Sequence, residues 1–276
     1  MTDHVPAVRE ALEIPGAAAL ARTSDAHRML HWSGAVRSPA RRFIKNEILA
    51  KISLQGLAAM AEFLEPIVLK ERMVLQEPKK PLDYVYFVES GLVSLRIVAA
   101  GSVLETAVIG HGGAIGAPLL FGPHLATHQS VVLFAGSAHR IRVEDLRLAM
   151  REHSEIQEHL LRYVHALSLH CAQTGLCGVR HDRERRLACW LCLASDALDA
   201  DVLPVTHDYL SSVLALRRAG VTETLIRFEE RGLISKTRGV LRIEERTSLE
   251  QKACSCYKLI SGAYATSEPA ISAIDP

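Results

Sequence analysis

The sequence lacks any apolar run of the roughly 18–20 residues that a membrane-spanning helix needs. It also lacks the apolar core of a signal peptide, and acidic residues occur early in the chain. Six cysteines in 276 residues do not fit a small secreted disulfide scaffold. We therefore expect a soluble cytoplasmic protein with reduced thiols and no membrane partner.

A strong net charge is missing as well. The formal charge is +1, so the overall composition does not indicate a nucleic-acid partner. Charge is concentrated instead in residues 217–242, which hold seven basic and three acidic residues, a net charge of +4. A local basic patch of this kind supplies the salt-dependent phosphate contribution to DNA affinity.

Residues 204–234 have the pattern of two short helices joined by a tight turn, and paired arginines open the second helix. Thr206 is suited to cap the first helix, and Gly232 to end the second. Apolar residues recur at helical spacing along one face of each helix. They are Tyr209, Leu210, Val213, Leu214, Leu216, Val221, Leu225 and Phe228. The pattern indicates a helix-turn-helix, whose second helix presents its N-terminal side chains to base edges in the major groove.

Polar residues off the apolar stripe, together with the following basic turn, are the candidates for DNA contact. We assign to this interface Thr206, Arg217, Arg218, Gly220, Thr222, Glu223, Arg227, Lys236 and Arg238. Arg218 can bind guanine through two hydrogen bonds and Glu223 can accept one from cytosine, whereas Arg227 is better placed for phosphate. Gly220 weakens a helix but could let it lie close to the DNA backbone. The alternative is an ordinary helical hairpin with solvated arginines.

Short strands are predicted on both sides of the helical centre of the chain. Residues 233–243 have the pattern of two strands around a basic turn, the wing of a winged helix-turn-helix. Residues 67–142 are a series of short β-branched or alternating runs, which predicts a sandwich or jelly roll. Turn residues separate these runs at 89–91, 100–102, 110–113 and 135–137.

Helical periodicity flanks the β-rich region. Two short amphipathic helices that break near Ser53 are expected within 41–64, and an apolar helix within 143–177. The apolar helix needs a partner, either the roll or a second subunit. A further helix at 181–198 would begin the C-terminal domain. Residues 1–40 lack sustained periodicity, and we interpret them as a mostly disordered extension.

This layout resembles the Crp/Fnr family of bacterial transcription regulators. Residues 85–95 are similar to the family's strand–turn–strand signature, and residues 110–116 to its glycine-bounded turn. The helix pair and residues 231–234 are similar to its DNA-binding module, and the resemblance covers roughly residues 45–260. It implies an α+β fold with an N-terminal cyclic-nucleotide-binding-like β-roll (a jelly roll), a long dimerisation helix and a C-terminal winged helix-turn-helix.

The resemblance divides the chain into five segments. They are the extension at 1–40, the β-roll with its N-terminal helices at 41–145, the dimerisation helix at 146–178, the winged helix-turn-helix at 179–247 and a C-terminal tail at 248–276.

The resemblance also implies a function. It implies a sequence-specific DNA-binding regulator that is not an enzyme and acts as a homodimer on a palindromic site, because twofold protein symmetry matches twofold operator symmetry. Double-stranded DNA and RNA polymerase are the macromolecular partners that it implies. Ala219 and Gly220 stand where the family commonly has Glu and Thr, so the sequence read is expected to differ from the family's best-known half-site.

The family's cyclic-nucleotide pocket is degenerate in this sequence. Family members that bind the nucleotide use a Gly-Glu-Leu step for the ribose and an Arg-Ser or Arg-Thr pair for the phosphate. The matching positions here are Gly116, Ala117 and Pro118, and then Thr127 and His128. A buried phosphate without a cation is costly, so we do not expect cyclic-AMP binding. We assign Gly116, Ala117, Thr127 and His128 to a pocket that holds another small-molecule effector or none.

Cysteine and histidine leave two alternatives. The family's iron–sulfur sensors use an N-terminal cysteine cluster, whereas the first cysteine here is Cys171. Cys189 and Cys192 form a C-x-x-C within an apolar helix, which favours buried thiols. Cys254-x-Cys256 is a candidate redox or metal site, so a thiol- or metal-sensing regulator is the first alternative. A cupin-like metal enzyme is the second, but the chain has no His-x-His pair; we assign no metal site and no cofactor.

Overall fold

The computed structural model describes residues 44–99, 102–122 and 125–265, so the expected N-terminal extension and the last 11 residues lie outside it. Two short helices come first, α1 (Glu47–Lys51) and α2 (Leu54–Ala61). Each begins at a capping side chain, since Asn46 accepts a hydrogen bond from the Leu49 amide and Ser53 accepts one from the Gly56 amide. The predicted pair of helices that breaks near Ser53 is confirmed.

Six strands then form an antiparallel sheet. They are β1 (Glu65–Leu69), β2 (Val74–Gln76), β3 (Tyr84–Ala99), β4 (Ser102–Ile109), β5 (Ala114–Ile115) and β6 (Gln129–Arg142). The four longest have the order β1-β6-β3-β4, while β2 pairs with β6 and β5 pairs with β3. A short 3₁₀ helix, Ala117–Leu120, follows β5.

Two of the predicted turns are wrong, because 89–91 lies inside β3 and 135–137 lies inside β6. The two strands are paired along their length, and their register shifts where these segments meet. Gly91 has a φ of +85°, and a Cβ on Gly136 would overlap the backbone of Ser90. Glycine therefore lets the two paired strands bend together instead of reversing the chain.

Replacing Gly136 with alanine should destabilise the fold. We expect Gly136→Ala to lower the free energy of unfolding by about 1–3 kcal/mol, because the added Cβ has only backbone to displace. Urea unfolding measures the change. Gly122→Ala is the control, since its added Cβ would lie 3.9 Å from the nearest atom, the Pro118 carbonyl oxygen. Equal losses in the two variants would contradict the steric account.

The helical centre of the chain consists of two helices, α3 (Val143–Glu152) and α4 (Ser154–Arg180). They meet at His153, whose backbone is extended (φ −130°, ψ 92°), so the single helix expected at 146–178 is interrupted there. The inner face of α4 packs on the sheet through Ile156, Leu160 and other buried residues. None of the helices in the described part of the chain is both long and apolar enough to cross a bilayer.

The C-terminal part of the chain packs around a second core, to which Leu92, Val108 and Phe134 of the sheet also contribute. Its elements are α5 (Arg183–Leu198), β7 (Val202–Leu203), α6 (His207–Val213), α7 (Arg218–Glu230), β8 (Ile234–Thr237), β9 (Val240–Ile243), α8 (Arg246–Lys252) and α9 (Ser255–Ala265). β8 and β9 form the predicted two-stranded wing, and β7 adds a third strand on β9. The segment at 248–276 was predicted only as a tail, but it contains most of α8 and all of α9. α9 packs on α4.

Candidate nucleic-acid interface

α6 and α7 form a helix pair with the predicted ends. The Thr206 hydroxyl accepts a hydrogen bond from the Tyr209 amide at 3.2 Å, which caps α6. Ala215 takes the left-handed conformation (φ 48°) in the turn between the helices. Gly232 has a φ of +69° just beyond α7, where its amide bonds the Glu229 carbonyl. The left-handed glycine satisfies the last carbonyls of the helix and turns the chain into the wing.

The predicted apolar stripe anchors this helix pair in the C-terminal core. Its buried members are Leu210, Val213, Leu214, Val221, Leu225 and Phe228, while Tyr209 and Leu216 are half-buried. Because one side of α7 is buried, the opposite side must face solvent.

The residues that were predicted to read bases lie on that solvent side. Arg217, Arg218 and Glu223 are exposed, and the side chains of Arg218 and Glu223 keep 69% and 61% of their accessible surface. The Arg218 guanidinium forms an ion pair with Asp208. The Glu223 carboxylate forms one ion pair with Arg183 at 3.0 Å and another with Arg227 at 3.3 Å. Exposed pairs of this kind contribute only about 0–1 kcal/mol, so a DNA partner can displace them.

Gly220 and Thr222 are less exposed than the two arginines. Gly220 is buried, and a Cβ at this position would overlap the Arg183 guanidinium of α5. The absence of a side chain at Gly220 therefore lets α7 pack closely against α5. It does not provide room on the solvent-exposed side of the helix. Thr222 is half-buried and its hydroxyl shares a hydrogen bond with His207 Nδ1 at 3.0 Å.

Arg183 is a residue that sequence reasoning missed. Its Nε donates to the Thr224 hydroxyl at 2.9 Å, and its guanidinium also binds Glu223. Arg183 thus ties the first turns of α5 to the middle of α7. The only sequence signal was a run of arginines at the start of a predicted helix.

Two of the three basic side chains of the wing, Lys236 and Arg238, were predicted to contact DNA. Lys236 is held by Glu229, with 2.8 Å between Nζ and the carboxylate, and this hydrogen bond lowers the pKa of Glu229. Arg238 is exposed at the turn next to Gly239, which has a φ of +77°. Burial and the charges of Lys236 and Arg218 lower the pKa of His207. Lys236 of the wing and Arg218 of α7 are therefore both near His207.

Residues 185–252 match the family model of the Crp-like helix-turn-helix domain. This part of the chain is a Crp-like helix-turn-helix domain. No curated protein sequence matches the chain.

Solved structures extend the likeness to most of the chain. FixK2 from Bradyrhizobium japonicum has a TM-score of 0.61 at 18% identity, covering 69% of this chain and 98% of its own. A transcriptional regulator of the Crp/Fnr family from Eubacterium rectale has a TM-score of 0.57 at 13% identity, with 75% and 97% coverage. The c-di-GMP-responsive global regulator CLP of Xanthomonas campestris has a TM-score of 0.54 at 14% identity, with 69% and 99% coverage. The expected fold is confirmed: an N-terminal antiparallel sheet, helices and a C-terminal helix-turn-helix, as in Crp/Fnr regulators.

A buried carboxylate joins the Crp-like domain to the sheet. Glu105 of β4 accepts hydrogen bonds from Trp190 Nε1 of α5 at 2.5 Å, from the Tyr209 hydroxyl of α6 at 2.6 Å and from the Ser94 hydroxyl. Burial raises the pKa of Glu105. The sequence signal was a single acidic residue, Glu105, within the apolar run of β4. Periodicity alone does not connect this residue with Trp190 or Tyr209.

Backbone contacts also join the end of β4 to α5. The His111 amide donates to the Ala197 carbonyl of α5 at 3.2 Å, and His111 Nδ1 lies 3.0 Å from the same oxygen. A Cβ on Gly110 would overlap that carbonyl, so only glycine lets α5 come this close. The sheet and the first helix of the Crp-like domain are therefore in direct backbone contact.

Three of the four predicted effector residues line one cavity of about 320 Å³ between the sheet and α4. Gly116, Thr127 and His128 are at its wall, where Thr127 Oγ1 and His128 Nδ1 are 2.8 Å apart. Ala117 is buried nearby but does not line the cavity. The described lining residues include no Asp, Glu, Lys or Arg, and burial lowers the pKa of His128. The cavity is large enough for a small uncharged ligand.

Proposed function

We propose that this protein is a sequence-specific, DNA-binding regulator of transcription that has no enzymatic activity. The observation that carries the proposal is the exposed pair Arg217 and Arg218 at the start of α7, whose opposite side is fixed in the core. A helix of this kind can enter the major groove and present arginine to guanine. As a regulator it would act on RNA polymerase in the cytoplasm.

Phosphate contacts would come from the periphery of the same surface. We assign this role to Thr206, Arg227, Lys236 and Arg238, and base contact to Arg217, Arg218, Thr222 and Glu223. Gly220 stays outside the direct contacts because it is buried against Arg183.

An exposed stripe on α4 supports a homodimer. Its residues follow one another at alternating intervals of four and three, the spacing of a coiled-coil seam. They are Leu161, His165, Ser168, Ala172, Gly175 and Val179. Leu161 and Val179 expose 42% and 83% of their surface. His170, on the other side of α4, is buried and its Nδ1 lies 3.1 Å from the Tyr264 hydroxyl.

Charges on the seam should separate the subunits. We expect Leu161→Glu/Ala172→Glu to raise the dimer dissociation constant about 100-fold or more, because carboxylates would be buried without partners at both positions. Both residues are exposed, so the subunit should keep its fold. Sedimentation velocity measures the change. Leu148→Glu, an exposed apolar residue on α3, is the control. A monomeric parent protein, or a double variant that stays dimeric, would contradict the proposal.

The cavity beside α4 makes a small uncharged effector our proposal for the sensing function. No described lining residue could neutralise a cyclic phosphate. Among the described residues, the group with metal-ligand geometry lies outside the β-roll, so the structure offers no support for a cupin-like enzyme.

A salt titration tests the DNA-binding proposal. The full chain is titrated onto a fluorescent duplex of random sequence, and anisotropy is followed at increasing salt. The logarithm of the affinity should fall linearly with the logarithm of the salt concentration, with a slope of roughly −0.9 for each phosphate contacted. Failure to bind at low salt, or an affinity that does not depend on salt, would overturn the proposal.

A further inference from the structure

Four potential metal ligands meet where α4 ends. Cys177 and His181 are one helical turn apart at the C-terminal end of α4, and Cys254 and Cys256 come from the start of α9. Their ligand atoms all lie within 4.8 Å of one another. Cys177 Sγ and Cys254 Sγ are 3.4 Å apart, and Cys256 Sγ is 3.6 Å from His181 Nδ1. The three cysteines are buried and the histidine is half-buried, so this group has one open side.

These distances fit a tetrahedral zinc site. Zinc binds sulfur at about 2.3 Å and histidine nitrogen at about 2.0–2.1 Å. In a tetrahedron such bonds place two sulfurs about 3.8 Å apart, and sulfur and nitrogen about 3.6 Å apart. The Cys177–Cys254 separation of 3.4 Å and the Cys256–His181 separation of 3.6 Å lie within a few tenths of an ångström of these values, and all four ligand atoms lie within 4.8 Å of one another. Three cysteines and one histidine are a common ligand set of structural zinc sites.

We propose that Cys177, His181, Cys254 and Cys256 bind one zinc ion that joins α9 to the end of α4. Three thiolates, one neutral imidazole and Zn²⁺ carry a net charge of −1. The half-buried guanidinium of Arg186 lies close enough to interact electrostatically with Cys177 and Cys254, and it would balance that charge. Binding requires deprotonated thiols, which a neighbouring cation favours.

The position of the site indicates what zinc would do. His181 is the C-cap residue that follows α4, and Asp182 caps α5, so the chain passes from the sheet-bound helix to the Crp-like domain here. A metal that holds this link and α9 together would fix the orientation of α5. The sequence signal, a Cys-x₃-His step on one helix followed much later by Cys-x-Cys, was visible but spans 80 residues.

The first test measures zinc directly and does not depend on DNA binding. The full chain is stripped with a chelator under reducing conditions and titrated with zinc against a chromophoric competitor. We expect one equivalent to bind, and cobalt(II) in its place to show the visible bands of a tetrahedral thiolate site. Cys254→Ser should lower the zinc affinity about 100-fold or more, since even outer-shell residues contribute about 10- to 100-fold. Cys171→Ser, which lines the roll cavity, should leave it unchanged.

A second variant separates loss of a ligand from loss of fold. His181→Ala removes a half-buried ligand, so urea unfolding of the zinc-free protein should be little changed while zinc affinity falls. Zinc removal should also speed amide exchange in α9 and at the end of α4. The proposal is overturned if no zinc binds stoichiometrically, if Cys171→Ser loses as much affinity as Cys254→Ser, or if His181→Ala retains the parent affinity. It is equally overturned if the cluster responds only to oxidised glutathione, by forming a Cys177–Cys254 disulfide.

Discussion

Arg218→Ala is expected to weaken binding to the specific DNA site by about 1–3 kcal/mol and to leave binding to unrelated DNA nearly unchanged. Arg218 begins α7 and its side chain is largely exposed, so truncation should not disturb the core. The loss comes from the two hydrogen bonds that a guanidinium makes to one guanine. Competition binding with the preferred duplex and with a scrambled duplex measures the two affinities.

Asp208→Ala is the matched control for this variant. It breaks the same ion pair but leaves the Arg218 guanidinium free to bind a base. We expect its specific affinity to equal or exceed that of the parent protein. Arg151→Ala, an exposed arginine on α3, controls for the loss of one positive charge. If Arg218→Ala loses affinity equally on every sequence, Arg218 contacts phosphate and the assignment of base reading is wrong.

Glu105→Ala is expected to lower the free energy of unfolding by about 3–5 kcal/mol, which is the largest effect on stability that we predict. The substitution leaves the buried Trp190 indole N–H, and the hydroxyl of the half-buried Tyr209, without the acceptor that they now share. Each buried donor without a partner costs about 1–3 kcal/mol. Urea unfolding followed by tryptophan fluorescence measures the loss. A change below about 1 kcal/mol would mean that the carboxylate does not hold the domains together.

Glu105→Gln tests the electrostatic part of the same junction. Burial raises the pKa of Glu105 above its unfolded value of about 4.3, so the folded state holds the proton more tightly. The resulting stabilisation is complete below the unfolded pKa and is lost as the pH rises through the folded pKa. Glutamine has the shape of the protonated acid and does not ionise. The parent protein should therefore lose stability relative to Glu105→Gln as the pH rises above about 4. A pH-independent difference would contradict the raised pKa.

Local sequence signals predicted the DNA-binding domain well. Thr206 caps α6, Gly232 ends α7 and the apolar stripe is buried, because caps, helix stops and periodicity depend only on neighbours along the chain. The same reasoning gave the break at Ser53 and the two strands of the wing.

Features that depend on distant parts of the chain were missed. Gly91 and Gly136 look like turns locally, but each lies in a long strand because the partner strand bends at the same place. Gly220 looked like a contact with DNA, and only the packed helices show Arg183 against it. Glu105, Trp190 and Tyr209, like the four zinc ligands, come together from segments that no spacing rule connects.

Selection from a random DNA library tests the central claim most directly. The full chain, in parallel with Arg218→Ala, is used to enrich bound duplexes, which are then sequenced. The account predicts two inverted half-sites whose centres are about one helical turn, 10–10.5 base pairs, apart, and a conserved guanine in each that the variant no longer selects. No enriched sequence, a site without twofold symmetry, or identical sites for the two proteins would contradict it.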